Sequence, residues 1–249
     1  MQFNPKISII TVVFNGHSLI ERTIKSVIHQ TYANVEYIII DGASSDGTLE
    51  IAEKYQSKIA VILSGKDNGI YDAMNKGLNV ATGDYVLFLN AGDELFANET
   101  IASVFSFGDA DVYYGNTAVV NQKGDLLGDR RLSPPEQLNW KSLKYGMCVS
   151  HQSFIAKRSL CEAYDTSYSV SADIDWVISI LKKSIRIVNT KNYISKFLEG
   201  GTSNKRRKKA LFERFNIMSK HYGFFMTILN HLYILFRFPV HRLSKKSMT

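Results

Sequence analysis

The chain has 249 residues, 45% apolar and 21% charged, which suits the core of one large α/β domain and excludes a disordered chain. Its net charge of +7 is unevenly placed: residues 205–249 carry +10 and the rest of the chain −3, which argues against a nucleic-acid-binding main domain. Two cysteines, Cys148 and Cys161, exclude a disulfide framework and a cysteine-built zinc site, and Met1 leads into an apolar segment with no signal-peptide pattern, so a cytoplasmic protein is expected.

Ile7–Val13 is a continuous β-branched, apolar run, the pattern of a buried parallel strand. It stops at Phe14-Asn15-Gly16, and Ser18 with Glu21 reads as a capping box for a helix over residues 19–30. Residues 35–40 read as a second strand closed by Asp41-Gly42, and Asp46-Gly47-Thr48 opens a second helix. A third strand over 60–63, a helix over 70–80 and a fourth strand over 85–89 follow. Such alternation predicts parallel βαβ units. Beyond Asp93 the pattern predicts strands at 111–115 and 117–120, a turn at 122–125, a break at Pro134-Pro135 and a helix over 173–183. In that helix Ile174, Val177, Ile178 and Leu181 have helical spacing. From Lys205 the chain is basic and helix-like, then apolar over 224–238 with Asn230, His231 and Arg237 interrupting. That stretch is shorter than the roughly 20 apolar residues of a spanning helix. It fits an interfacial helix on an anionic membrane surface, the alternative being a helical pair packed on the domain.

In an open α/β sheet, ligands bind outside the carboxyl ends of the strands. Asn15, Asp41, Lys66-Asp67-Asn68 and Asn90-Ala91-Gly92-Asp93 each follow a predicted strand, so four polar strand ends face one crevice. A carboxylate such as Asp41 can accept an N–H there, and Asp93 beside Glu94 offers the hard oxygen a divalent cation takes. After the first strand the chain reads Phe14-Asn15-Gly16-His17. It lacks the GxGxxG of a dinucleotide oxidoreductase and the glycine-rich, lysine-bearing loop of a nucleotidyltransferase.

In order, Ile9-Ile10-Thr11-Val12-Val13-Phe14-Asn15, the 41–48 segment, Lys66-Asp67-Asn68-Gly69-Ile70-Tyr71-Asp72-Ala73-Met74-Asn75-Lys76-Gly77 and Ala81-Thr82-Gly83-Asp84-Tyr85 through Phe88-Leu89-Asn90-Ala91-Gly92-Asp93 together resemble glycosyltransferase family 2. The resemblance runs over about residues 6–200, and the string from Asp67 to Gly77 is similar to that of the branch that includes colanic acid glycosyltransferases. It implies an α/β GT-A fold: a mostly parallel central sheet with helices on both faces, in a domain over 1–203. The nucleotide-binding half would end near 93, the acceptor half would follow, and a helical tail would occupy 204–249. It implies inverting transfer of one sugar from a UDP- or GDP-sugar to a polyprenyl-linked saccharide acceptor in surface polysaccharide synthesis, at the inner face of the cell membrane. The Gln-x-x-Arg-Trp motif of processive members is absent.

Residue by residue, the resemblance implies that Thr11 and Asn15 line the base and ribose pocket and that Asp41 bonds the nucleobase. Ser44, Lys66, Asp67, Asn75 and Asn90 would complete the nucleotide-sugar site. Asp93 would be the final acid of the family's metal motif, holding Mn²⁺ or Mg²⁺, with Asn90 and Gly92 in place of earlier acids. That replacement keeps a non-catalytic sugar-nucleotide-binding protein as the alternative. Asp173, in Ser171-Ala172-Asp173-Ile174-Asp175-Trp176, would be the general base, with Asp175 directed elsewhere on the helix. His151-Gln152 would lie near the acceptor, and Gly200-Gly201-Thr202-Ser203 would fold over the diphosphate.

Overall fold

The computed structural model describes residues 3–200 and 206–234. Strand β1 (Ile7–Val13) is buried at all of its positions and lies between β2 (Val35–Asp41) and β4 (Tyr85–Phe88), parallel to both. Strand β3 (Val61–Ser64) extends the parallel half beyond β2. Alternate side chains of β1 enter opposite layers, as the pleat requires. Ile10 and Val12 pack with Met74 in the layer that also holds Tyr71 and Trp176, while Ile7 and Ile9 pack with Ile20, Ile24 and Val27 in the other. The second layer belongs to α1 (His17–Ile28); α2 (Thr48–Glu53) follows β2, and α3 (Ile70–Val80) carries Tyr71 and Met74. Gly77 permits α3 its close approach, since a Cβ there would stand 2.4 Å from Ile10 Cγ2.

The remaining elements are β5 (Glu94–Leu95), α4 (Thr100–Phe105), β6 (Val112–Val120), β7 (Leu126–Asp129), β8 (Phe154–Lys157), α5 (Ala172–Lys183) and β9 (Ile187–Leu198). The sheet order is β3-β2-β1-β4-β8-β6-β9-β5, with β7 on β6. The expected parallel units are therefore the β3-β2-β1-β4 half, and β6 and β9 add one more parallel pair. Pairings β4–β8, β6–β8, β6–β7 and β5–β9 are antiparallel.

Three local expectations are corrected. No capping box starts α1: Gly16 is the N-cap, without a side-chain cap, and Ser18 and Glu21 lie inside the helix. The capping oxygen comes from the next loop, where Asp46 Oδ2 accepts the His17 N–H at 3.0 Å. The two strands expected at 111–115 and 117–120 are one, β6, whose register against β9 shifts around Asn116. Strand β9, with a mixed polar and apolar sequence, was not expected.

The tail begins as part of the domain. Helix α6 (Arg207–Tyr222) packs on α5, and Tyr222 stacks on Trp140 with ring centroids 5.5 Å apart. Residues 224–234 form a further helix. The Gly201-Thr202-Ser203 part of the expected closing loop, Lys205, and the 235–238 end of the apolar stretch lie outside the described residues. Among the described residues no helix is long and apolar enough to cross a membrane.

Candidate active site

The sheet order reverses between β1 and β4, and the crevice opens over the carboxyl ends of β1, β2 and β4. At the end of β2, Asp41 is 1% exposed. Its Oδ2 accepts the Ser44 N–H at 3.0 Å and the Ser64 hydroxyl at 2.6 Å, while its Oδ1 has no partner among the described residues. A buried, unsatisfied carboxylate oxygen is costly and suits an incoming N–H, as a nucleobase supplies. Asn15, in the left-handed region at φ 50°, closes the turn above: its N–H donates to Ser44 Oγ at 2.8 Å, and its Oδ1 accepts the Ser45 N–H at 3.0 Å. Asp67 leans over Gly42, whose missing Cβ would meet Asp67 Oδ2 at 2.5 Å, so the two aspartates stand on neighbouring turns. Lys66 is exposed beside them, its carbonyl accepting from Lys76 Nζ at 2.6 Å.

Two nucleotide-site expectations are not met by this geometry. Thr11 is fully buried, and its hydroxyl lies 3.1 Å from that of Tyr37, because it falls on an inward-facing position of β1. Phe14, beyond the strand, is the exposed residue. Asn75 spends its whole amide on the Tyr164 backbone, donating at 2.9 Å and accepting at 2.7 Å, and so ties α3 to the second half.

The second cluster sits where the halves meet. Asp173, in the first turn of α5, is the acceptor of two donors: the Tyr71 hydroxyl reaches its Oδ1 at 3.2 Å, and His151 Nδ1 lies 3.3 Å from its Oδ2. Asn90 Nδ2 is 3.2 Å from His151 Nε2. A neutral imidazole protonated on Nδ1 satisfies both contacts, giving a directed chain from Asn90 through His151 to Asp173. Burial pushes the Asp173 carboxyl up, but the His151 and Tyr71 hydrogen bonds outweigh it and hold the group below its usual value. It is an ionised carboxylate at neutral pH, with its side chain 20% exposed. Asp175 points away, as expected, and pairs with His221 at 2.7 Å and Lys220 at 3.1 Å on α6.

Asp93 is 4% exposed. Its Oδ1 accepts the Leu198 N–H at 2.9 Å and its Oδ2 the Gln152 amide at 2.8 Å. Gln152 also accepts the Ser150 hydroxyl, so it braces Asp93 rather than facing an acceptor, contrary to expectation. Burial raises the Asp93 carboxyl to about 6, the Leu198 and Gln152 hydrogen bonds offsetting part of the rise. Because the folded value exceeds the ordinary 3.8, the group's contribution to stability is present below pH 3.8 and is lost as pH rises through about 6. Asp93→Asn removes that pH dependence, though its NH2 must face one of the two N–H donors, so the variant's stability relative to wild type should be more favourable at pH 8 than at pH 4. Paired thermal melts at the two pH values check this, and an equal effect at both would contradict it.

A buried carboxylate without a paired cation is the setting in which a metal ion is welcome. Asn90 Oδ1, buried and without a partner among the described residues, is a second hard oxygen in the same turn. The pair fits a cation whose remaining ligands are diphosphate oxygens and water, as Mg²⁺ and Mn²⁺ accept. Among the described residues no group of three His, Cys, Asp or Glu side chains could hold a metal alone.

Sequence reasoning missed Tyr71 as a partner of Asp173, because the contact spans 102 residues. It also missed Glu213, Arg130 and Arg214, which lie on elements with no recognisable motif. An aromatic stack secures Tyr71: Tyr164 lies between it and Trp176 of α5, with centroids 5.4 and 5.0 Å away.

The family model described as "Glycosyl transferase family 2" matches residues 8–164 of this chain. A PGL/p-HBAD biosynthesis glycosyltransferase of Mycobacterium bovis is 32% identical over 184 residues, covering 70% of this chain and 69% of the relative. A UDP-Glc:alpha-D-GlcNAc-diphosphoundecaprenol beta-1,3-glucosyltransferase, WfaP, of Escherichia coli is 28% identical over 217 residues, 85% of each chain. Among solved structures, S. aureus TarS 1-349 in complex with UDP superposes with a TM-score of 0.69 at 19% identity, over 86% of this chain. This chain spans 64% of that one. The mannosyltransferase PcManGT from Pyrobaculum calidifontis, in complex with GDP-Man and Mn²⁺, superposes with a TM-score of 0.67 at 19% identity, over 93% of this chain and 70% of that one.

Proposed function

Because this chain belongs to glycosyltransferase family 2 and has the GT-A fold, we propose that it transfers a single sugar from a UDP- or GDP-sugar to a lipid-linked saccharide, with inversion at the anomeric carbon. The observation that carries the reading is Asp173: an ionised carboxylate at the junction of the two halves, held by Tyr71 from the nucleotide side and His151 from the acceptor side. The base enters at Asp41, whose free Oδ1 accepts its N–H, with Asn15, Ser44 and Asp67 forming the rim and Lys66 beside them. Asp173 takes the proton of the acceptor hydroxyl as that oxygen attacks the anomeric carbon from the face opposite the diphosphate. A divalent cation held by Asp93 and Asn90 would neutralise charge on the leaving diphosphate.

The lipid-linked acceptor is supported by the substrate in WfaP's name. Peripheral binding at the inner membrane face is supported by the tail, where Phe212 and Phe225 are 68% and 81% exposed and Arg206, Arg207 and Lys208 are exposed as well. Flotation with anionic vesicles tests this, and a protein left in the aqueous layer would remove the membrane surface from the reading.

The reaction is tested by proton NMR of the product made from an α-linked nucleotide sugar. A β-linked product formed with Mn²⁺ and abolished by chelation is expected. Retention of configuration would overturn the single displacement. Nucleotide binding without any turnover would favour the non-catalytic binder, which the sparse metal ligands keep in view.

A further inference from the structure

Arg130, directly after β7, and Arg214, on α6, form no hydrogen bond or ion pair among the described residues. Arg130 Nη1 and Arg214 Nε are both buried. Burial pushes both guanidinium pKa values down, and Arg131, within electrostatic reach of each, pushes them further. Asp173 is the first acid whose field reaches both, yet it makes no ion pair with either. Both residues are half-buried, and a guanidinium nitrogen buried without a partner is costly, so such a pair is tolerated where an anion completes it.

The surroundings have the chemistry of an anion site. Arg130 lines a cavity of about 70 Å³ with Thr117, Leu132, Ser133 and Ser150, one residue before His151. The acid in the lining, Asp129, accepts the Tyr193 hydroxyl at 2.6 Å. Arg214 reaches the same wall through Gly146, where a Cβ would stand 3.3 Å from Leu132 Cδ1 and 4.0 Å from Arg214 Nη1. These residues come from β6, β7 and α6, whereas Asp41 and Asp67 follow β2 and β3. The arginines thus belong to the second half of the chain, where the acceptor half is proposed, with Asp173 and Asp93 both within electrostatic reach of Arg130.

We propose that Arg130 and Arg214 form a second, non-nucleotide diphosphate site, which receives the diphosphate of the lipid-linked acceptor. Bidentate guanidinium pairing suits phosphate oxygens, and a diphosphate presents enough of them for two arginines. The assignment to the acceptor rests on the transferase reading; the anion site itself does not.

The test is calorimetric titration of the full chain with inorganic pyrophosphate and with farnesyl diphosphate, each in saturating UDP or GDP so that the donor site is filled. Wild type should bind both. Arg130→Gln and Arg214→Gln should each weaken binding about ten- to a hundred-fold, with nucleotide affinity unchanged. Arg130→Lys, which keeps the charge and serves as the folding control, should recover part of it. Failure of the nucleotide-saturated wild type to bind either diphosphate would overturn the site. So would variants that weaken nucleotide binding instead, since the arginines would then serve the donor. Pyrophosphate binding alone, without farnesyl diphosphate binding, would contradict the lipid source. Should the chain bind pyrophosphate but no nucleotide, the transferase reading fails while the anion site stands.

Discussion

Asp173→Asn is expected to lower turnover by about 10²–10⁴-fold, the range a general base contributes, and to leave nucleotide affinity unchanged. The substitution is nearly isosteric. Its amide oxygen can accept the His151 Nδ1–H, and its NH2 can donate to the Tyr71 hydroxyl oxygen, so the imidazole keeps its tautomer. Asn90 then keeps its amide on His151 Nε2 and its Oδ1 toward the proposed cation. The network therefore survives, and what is lost is the anionic lone pair that accepts the acceptor's proton. Because the proposed contact with the base is at Asp41 and not at Asp173, the loss should fall on kcat. A variant that turns over normally would remove Asp173 from the reaction, and one that loses nucleotide affinity equally would assign it to donor binding.

Glu213→Ala is expected to destabilise the fold by about 3–5 kcal/mol, measured by chemical denaturation. Glu213 is 4% exposed, on α6, and its carboxylate accepts the backbone N–H groups of Ser169, Val170 and Ser171, each at 2.9 Å. Those three residues are the approach to α5, so Glu213 caps the helix that presents Asp173, from a distance of more than 40 residues in sequence. Truncation strands three N–H groups, that of Ser171 buried and the other two part-buried, and removes the anion that favours a helix N-terminus. Activity should fall with it even where the protein stays folded, as Asp173 loses its fixed position. A loss below about 1 kcal/mol would mean that water reaches the loop and α6 is peripheral to the site.

This second prediction marks the limit of what the sequence could reveal. Strand β1 and the alternation up to β4 were legible because parallel strands are apolar throughout and the intervening helices have a clear period. Ordered motifs single out Asp41 and Asp173, and the structure places the first at the end of β2 and the second in the first turn of α5. The same motifs mark Thr11 and Asn75 as ligand contacts, yet an inward strand position and a bond to the Tyr164 backbone claim them. The resemblance puts Gln152 with His151 at the acceptor, but the 3₁₀ turn at His151–Ser153 directs the two adjacent side chains differently, and Gln152 braces Asp93. Glu213, Tyr71 and the arginines were illegible for one reason. Their partners are set by how α5, α6 and β6 pack, and no local pattern encodes that.

The central claim is that this crevice binds a nucleotide sugar and that Asp173 drives transfer of its sugar. The most direct measurement follows label from a panel of UDP- and GDP-sugars into lipid-extractable product, with Mn²⁺ and a saccharide on polyprenyl diphosphate as acceptor. The account predicts label from one donor class, absent without metal and nearly abolished in Asp173→Asn. No transfer and no nucleotide binding across the whole panel would contradict it.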